Sequence, residues 1–418
     1  MRARARAFPA VASLAGLGLW ASCGSNGGND NSGGACVSPA LAAPAANTVA
    51  LVVDSGSPQL SSPYTNGLFT SVTLCMPGTT TCQTIDHFLV DTGSVGVRVL
   101  ESVLALPLPL LSPTDGTALA ECSPFVDGSA WGPVRLADVQ LSQEVASSIP
   151  IQTIGESALA RPAACSAVAV DDLNSLGSNG ILGVGVFPED CGAACTSLAN
   201  LSPGSMPYFS CSTTSGDCTP AATPLTQQVA HPVASFPTDN NGVIIQLPCV
   251  PAQGSPLVHG VMIFGIGTEA NNGLGSAQPL PLDLDGFVTT DYPEGGSPYT
   301  SYLDSGSNAL FFLNSATTGI SPCPSKGLSQ FYCPSSTISR TAEILSSAGA
   351  GVPIMFSVTN AAILPASSNA FSNLAGPMQG FPSNPQVPGF DWGLPFFFGR
   401  SVYTGISDQS GAGAYFAF

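Results

Sequence analysis

Charge is what this chain has least of. Only 8% of its 418 residues are Asp, Glu, Lys or Arg, and Lys326 is the single lysine. What charge exists runs one way, with nine basic residues against 26 acidic ones and a formal net charge of −17. Such a chain repels phosphates and anionic headgroups, which argues against nucleic acid as a partner. Histidine is scarce and scattered (His87, His231, His259), and no Cys-x2-Cys pair occurs. That spacing speaks against zinc, so neither a metal nor a cofactor is expected. After the N-terminal segment no apolar run reaches the ~18 residues that a membrane-spanning helix needs. Long, capped helical patterns are also missing, Thr337–Ala348 being the best candidate. There is no Gly-x-Ser-x-Gly, and Lys326 lacks a Ser three residues before it, which leaves a serine hydrolase little support.

Glycine and proline, by contrast, are plentiful at 46 and 37 residues. Both break helix interiors and suit a turn-rich β protein. Short apolar strands recur from Asn47 onward: Val49–Val53, Asn66–Leu74 and Ile85–Val90, the last two joined through the Pro77-Gly78 turn. Gly242–Leu247 and Val261–Gly265 open a second β region, and the chain ends on a final strand, Ala414–Phe418. Residues 47–235 and 236–418 are therefore expected to form an N-terminal and a C-terminal lobe.

Ahead of them, residues 1–22 read as an export signal, with Arg2, Arg4 and Arg6 before the apolar run Ala7–Trp20. Ala21-Ser22-Cys23 resembles the lipobox of bacterial lipoproteins, in which the Cys is lipidated; Trp20 stands where that motif has Leu. The resemblance implies an outer-membrane lipoprotein whose only membrane contact is its anchor, with residues 23–46 as lipidated Cys and flexible tether. The remaining twelve cysteines point to disulfides. Local pairs are expected at Cys75/Cys82, Cys211/Cys218 and Cys323/Cys333, then at Cys122/Cys165 and Cys191/Cys195, leaving Cys36 and Cys249 to each other.

The chemistry is carried by a repeated turn. Leu89-Val90-Asp91-Thr92-Gly93-Ser94 recurs as Tyr302-Leu303-Asp304-Ser305-Gly306-Ser307. Each is followed, 90 and 93 residues after its Gly, by two apolar residues and a glycine: Ile181-Leu182-Gly183 and Phe397-Phe398-Gly399. Asp54-Ser55-Gly56 is a third copy without such a follower and reads as a surface turn. Alone, either Asp reads as a turn cap. As a matched pair they read as two carboxylates meeting between duplicated lobes, where like charge forces a shared proton.

This pattern resembles pepsin-like aspartic peptidases, over roughly Asn47 to Phe418, and less specifically an uncharacterised group of bilobal bacterial lipoproteins. The resemblance implies an all-β, two-lobed pepsin-like aspartic-peptidase fold, each lobe with a ψ-loop carrying one Asp. Asp91 and Asp304 would be catalytic. Thr92 and Ser305 would lock the two turns together, Ser94 and Ser307 would hydrogen-bond the carboxylates, and Gly93 and Gly306 would let backbone approach. Extended peptide or unfolded protein would be the substrate, and a monomer is expected. The family's flap hairpin falls on Phe125, Gly128 and Trp131, but its Tyr is Phe125 here, and the Trp that supports that Tyr is Arg98. A cleft that binds a peptide, glycan or protein without cutting it is the competing reading. Arg400, after Gly399, stands where the family commonly has Asp and is expected to pair with a surface carboxylate.

Overall fold

A computed structural model describes residues 36–114, 116–126, 128–165, 168–201, 207–378, 389–407 and 413–418. The expected export signal, Cys23 and the Gly/Asn/Ser stretch up to Gly34 lie outside these residues. Among the described residues the fold is all-β, in two barrel-like lobes. In these residues helix is confined to single turns, the longest α-helices being Leu173–Leu176 and Ser315–Thr318, and no described helix is long and apolar enough to cross a membrane.

Fifteen strands form one continuous sheet and seven form a second. The stitching between the chain's halves is made of backbone. Strand Thr48–Asp54 lies between Gly67–Cys75 on one side and Val258–Phe264 on the other. Gly242–Leu247 then joins Val258–Phe264 to Arg400–Gly405, and Tyr415–Ala417 closes against the latter. The inward residues of these strands (Leu51, Val53, Val243, Ile245, Met262, Phe264) are buried in one apolar cluster. Asn66 adds a side-chain latch: its amide donates to the Asn308 and Phe371 carbonyls and its oxygen accepts from the Phe371 N–H.

The seven-stranded sheet contains only residues of the second half, from Val288–Tyr292 to Gly389–Trp392. Its core is aromatic: Tyr292, Phe312, Phe356, Phe390 and Trp392 pack with ring centroids 5.2–6.4 Å apart. Such rings bury large apolar areas in fixed edge and offset contacts, so this core sits rigidly behind the second Asp turn.

The expected helix is not found. Thr337–Ala348 is not a helix but contains the strand Ile338–Leu345, paired with Gly351–Val358 and Val288–Tyr292. Ala342 and Ile344 are buried while Thr341 faces out, a period of two. The Ser346–Gly349 turn, with Gly349 at φ 83°, folds the strand back on its neighbour. All six disulfides join the expected partners. A set of this size belongs to a protein that matures in an oxidising, non-cytoplasmic compartment.

Candidate active site

Strand Cys82–Asp91 delivers Asp91 to the end of a buried row, Phe88 to Val90. Strand Ser297–Leu303 does the same for Asp304. Both carboxyls are fully buried. Each is folded back on its own turn: Gly93 N–H donates to Asp91 Oδ1 at 3.0 Å and Gly306 N–H to Asp304 Oδ1 at 2.8 Å. Ser94 Oγ donates to Asp91 Oδ2 at 2.6 Å. Ser307 Oγ lies 2.9 Å from Asp304 Oδ2.

The two turns interlock reciprocally. Thr92 Oγ1 donates to the Leu303 carbonyl and accepts from Ser305 N–H, both at 2.9 Å. Ser305 Oγ donates to the Val90 carbonyl at 2.9 Å and accepts from Thr92 N–H at 3.2 Å. Four hydrogen bonds between two hydroxyls and two strand ends fix the turns face to face. The glycines then become obligatory. A Cβ at Gly93 would lie 2.6 Å from the Asp304 carboxyl carbon, and one at Gly306 would lie 2.5 Å from Asp91 Oδ1. Each turn's Gly is the space into which the other's carboxylate fits.

The consequence is electrostatic. Asp304 is pushed up to about 6, first by burial and then by the charge of Asp91, to which its carboxyl is hydrogen-bonded. Two acids this close share a proton. An apolar-lined cavity of about 200 Å³ opens beside the turns, between Thr92–Val95, Val186, Phe187, Phe287 and Tyr302. Among the described residues no His, Cys, Asp or Glu cluster is arranged to hold a metal.

The first ψ-loop lies where Ile181, Leu182 and Gly183 were expected: Gly180–Val184 runs parallel to the Asp91 strand, Gly183 opposite Asp91. The second does not. The strand parallel to the Asp304 strand is Gly389–Trp392, with Trp392 opposite Leu303 and its carbonyl accepting from Asp304 N–H. Its glycine is Gly393, whose Cβ would strike the Ala309 and Ser307 carbonyls, as one at Gly183 would strike Val95 and Gly96 backbone. Phe397, Phe398 and Gly399 sit elsewhere. Phe398 bridges to Leu247, and Gly399 packs against the Cys36–Cys249 disulfide. The sequence signature missed because Phe390-Asp391-Trp392-Gly393 carries an acid where two apolar residues were sought. Among the described residues Arg400 likewise has no carboxylate partner. It donates to the Phe396 carbonyl and lies 4.5 Å over the Phe396 ring, and burial pulls its guanidinium down to about 10.

The flap region has been rebuilt. Strands Thr117–Phe125 and Gly128–Leu141 form the expected hairpin, but Thr117–Phe125 also pairs with Tyr208–Ser212, which pairs in turn with Cys218–Pro220. The tip is pinned: Ser129 N–H donates to the Val168 carbonyl, Val170 N–H to the Ser129 carbonyl, and Arg161 to both oxygens of Ser129. The Cys122–Cys165 disulfide adds a covalent staple. Trp131 is core. Its indole N–H donates to the Leu159 carbonyl and its ring meets Phe209 edge-on. Phe125 is buried with Leu100, Ile154 and Ile181. Arg98 is 2% exposed and bridges Glu121 at 2.6 Å and Asp190 at 3.0 Å, and Tyr208 donates to Asp190. Asp54, of the third copy, faces His87 at 3.4 Å.

Residues 43–418 match the family described as a protein of unknown function, DUF3443, and the chain belongs to that family. None of the curated proteins compared with it matches. Among solved structures it is similar to the aspartic proteinase from Irpex lacteus, with a TM-score of 0.51 and 14% identity over 89% of this chain and 97% of that one. At that identity the likeness establishes the fold.

Proposed function

We propose that the protein is an exported, lipid-anchored aspartic endopeptidase that activates water between Asp91 and Asp304. The observation that carries this reading is the mutual fit of the two turns, each glycine lying against the other's carboxylate. With Asp304 held protonated at mildly acid pH, Asp91 is the base. It takes a proton from water while Asp304 donates one to the carbonyl oxygen of the scissile amide, and the water oxygen closes the tetrahedral carbon. Proton transfer to the amide nitrogen then expels the amine. Extended peptide or unfolded protein is the substrate class, and no cofactor is required. Lipidation at Cys23 in the outer membrane is part of the same proposal.

A second reading, a binding protein that kept the cleft and gave up turnover, is favoured by one observation, the pinned hairpin. A tip held by Val168–Val170 and Arg161 cannot swing over substrate as a free two-stranded flap would. The test is cleavage of an unstructured protein between pH 3 and 7 by the soluble form beginning after Gly34. Fragments from the wild type and none from Asp91→Asn support the peptidase. A folded wild type that binds peptide tightly and never cuts it supports the binding protein.

A further inference from the structure

A third carboxyl adjoins the pair. Asp391 is buried, directly across the parallel register from Tyr302. Its Oδ2 lies 2.6 Å from Ser307 Oγ, the same hydroxyl that lies 2.9 Å from Asp304 Oδ2. A hydroxyl carries one hydrogen and can donate to only one of two carboxylate oxygens. The other contact is a hydrogen bond only if an acid O–H points at Ser307 Oγ. We propose that Asp391 is a protonated positioning residue that acts through Ser307, in a one-way chain from Asp391 to Ser307 to Asp304 to Asp91. This inference rests on the peptidase reading for its kinetic consequence but not for the placement of its protons.

The direction follows from what surrounds each acid. Asp91 and Asp304 each face a turn Gly N–H and a Ser hydroxyl. Burial and the charge of Asp91, however, push Asp304 up to about 6, so the single negative charge of the three carboxyls rests on Asp91. Around Asp391 stand Tyr302 across the sheet, Asp304, and beyond it Asp91. Among the described residues no Lys, Arg or His pairs with it. Burial, and then the charge of Asp304, push the Asp391 carboxyl well above the usual range. Below about pH 6, where Asp304 keeps its proton, the three acids thus hold two protons and one charge.

The chain has work to do after Asp304 gives its proton to the substrate. The Ser307 hydrogen moves to Asp304 Oδ2 as the Asp391 hydrogen moves to Ser307 Oγ. Asp304 becomes neutral again, the negative charge passes to Asp391, and Ser307 is unchanged. When the tetrahedral carbon collapses, its hydroxyl proton returns to Asp304 and the two transfers run back through Ser307 to Asp391. Every proton is then accounted for, and all three acids are reset for the next turnover.

Asp391→Asn separates this from simple packing, because the amide can still donate to Ser307 but has no proton to pass on. Infrared difference spectra of the folded protein at pH 7 are expected to lose one protonated-carboxyl band relative to the wild type. An undiminished band means that Asp391 is ionised and overturns the proposal, whether or not the protein cuts peptides. In a cleaving enzyme kcat is expected to fall about tenfold with KM unchanged, and an unchanged kcat overturns the relay. A wild type that never cleaves, with the band lost in the variant, sinks the peptidase reading and supports the proton chain. Ser307→Ala gives a second readout should Asp391→Asn not fold. Removing the donor to Asp304 raises the pH at which Asp304 loses its infrared proton, and an unmoved titration counts against the chain.

Discussion

The two Asp turns are near-copies, and their surroundings are opposites. In the N-terminal half, Ile181 of the ψ-strand faces Arg98 across the antiparallel register. In the C-terminal half, the equivalent pair is Asp391 facing Phe311. One lobe carries its buried ionisable group on the strand leaving the turn, the other on the strand beneath it. Arg98 is directed away from the carboxyl pair, toward Glu121, Asp190 and the rebuilt hairpin. Asp391 is directed into the pair through Ser307. The glycines of the two turns have no room for a side chain because each is packed on the other turn's carboxyl. The residues one layer out differ, and there the lobes have diverged: the first secures a fixed hairpin and the second sets Asp391 against Ser307.

The sharpest way to break the comparison is at the acids. Asp91→Asn and Asp304→Asn are each expected to lower cleavage by about a thousandfold or more, since both proton transfers depend on the pair. Initial rates on an unstructured protein measure it. If one variant keeps full activity, the two turns are not one site.

Next in size is Arg98→Leu, expected to cost about 3–5 kcal/mol by urea unfolding because it strands Glu121 and Asp190 in the core. The matching change, Phe311→Leu, removes no charge. Its expected cost is about 1 kcal/mol, from lost volume alone.

Asp304 predicts a pH dependence of similar size. Its folded value of about 6 exceeds the ordinary 3.8, so between those values the folded state binds more protons than the unfolded state. Stability therefore falls as pH rises from 4 through 6, by about 3 kcal/mol from this group. Asp304→Asn is expected to remove that slope and to be more stable than the wild type at pH 8. Denaturant midpoints at pH 4 and pH 8 in both proteins check it.

A last pair of substitutions tests the symmetry itself. Thr92→Val and Ser305→Ala each break two reciprocal hydrogen bonds and are expected to cost a similar ~1–3 kcal/mol. A large cost in one and none in the other would show that only one turn depends on the lock.

Much of this was legible before any coordinates. The Asp-x-Gly-Ser turns and the disulfides Cys75–Cys82, Cys211–Cys218 and Cys323–Cys333 are written in local spacing. The first ψ-strand follows from the repeat, and Cys36–Cys249, 213 residues apart, from being the pair left over. Thr92 and Ser305 found their places through the family resemblance. What the chain hid was non-local. Asp391 interrupts the apolar pair that marks a ψ-strand, and Phe397-Phe398-Gly399, six residues on, satisfies the pattern better while serving the disulfide between Cys36 and Cys249. Only the pairing of Trp392 with Leu303 separates them. Ile338–Leu345 misled for a related reason: Ala, Glu and Leu favour helix locally, and pairing on both sides overrides that preference. Arg98 announced a change in the flap, but not that its partners would be Glu121 and Asp190, 23 and 92 residues away.

The most direct test of a shared-proton site is the pH dependence of binding of a pepstatin-type peptide, whose hydroxyl takes the place of the attacked carbonyl. Calorimetry on the wild type and Asp304→Asn at pH 4, 6 and 8 is sufficient. The expected result is tight binding by the wild type at pH 4 that weakens through pH 6, and a dependence through that range that disappears in Asp304→Asn. Equal affinity for both proteins at every pH would mean that the cleft holds peptides without any part played by the two acids.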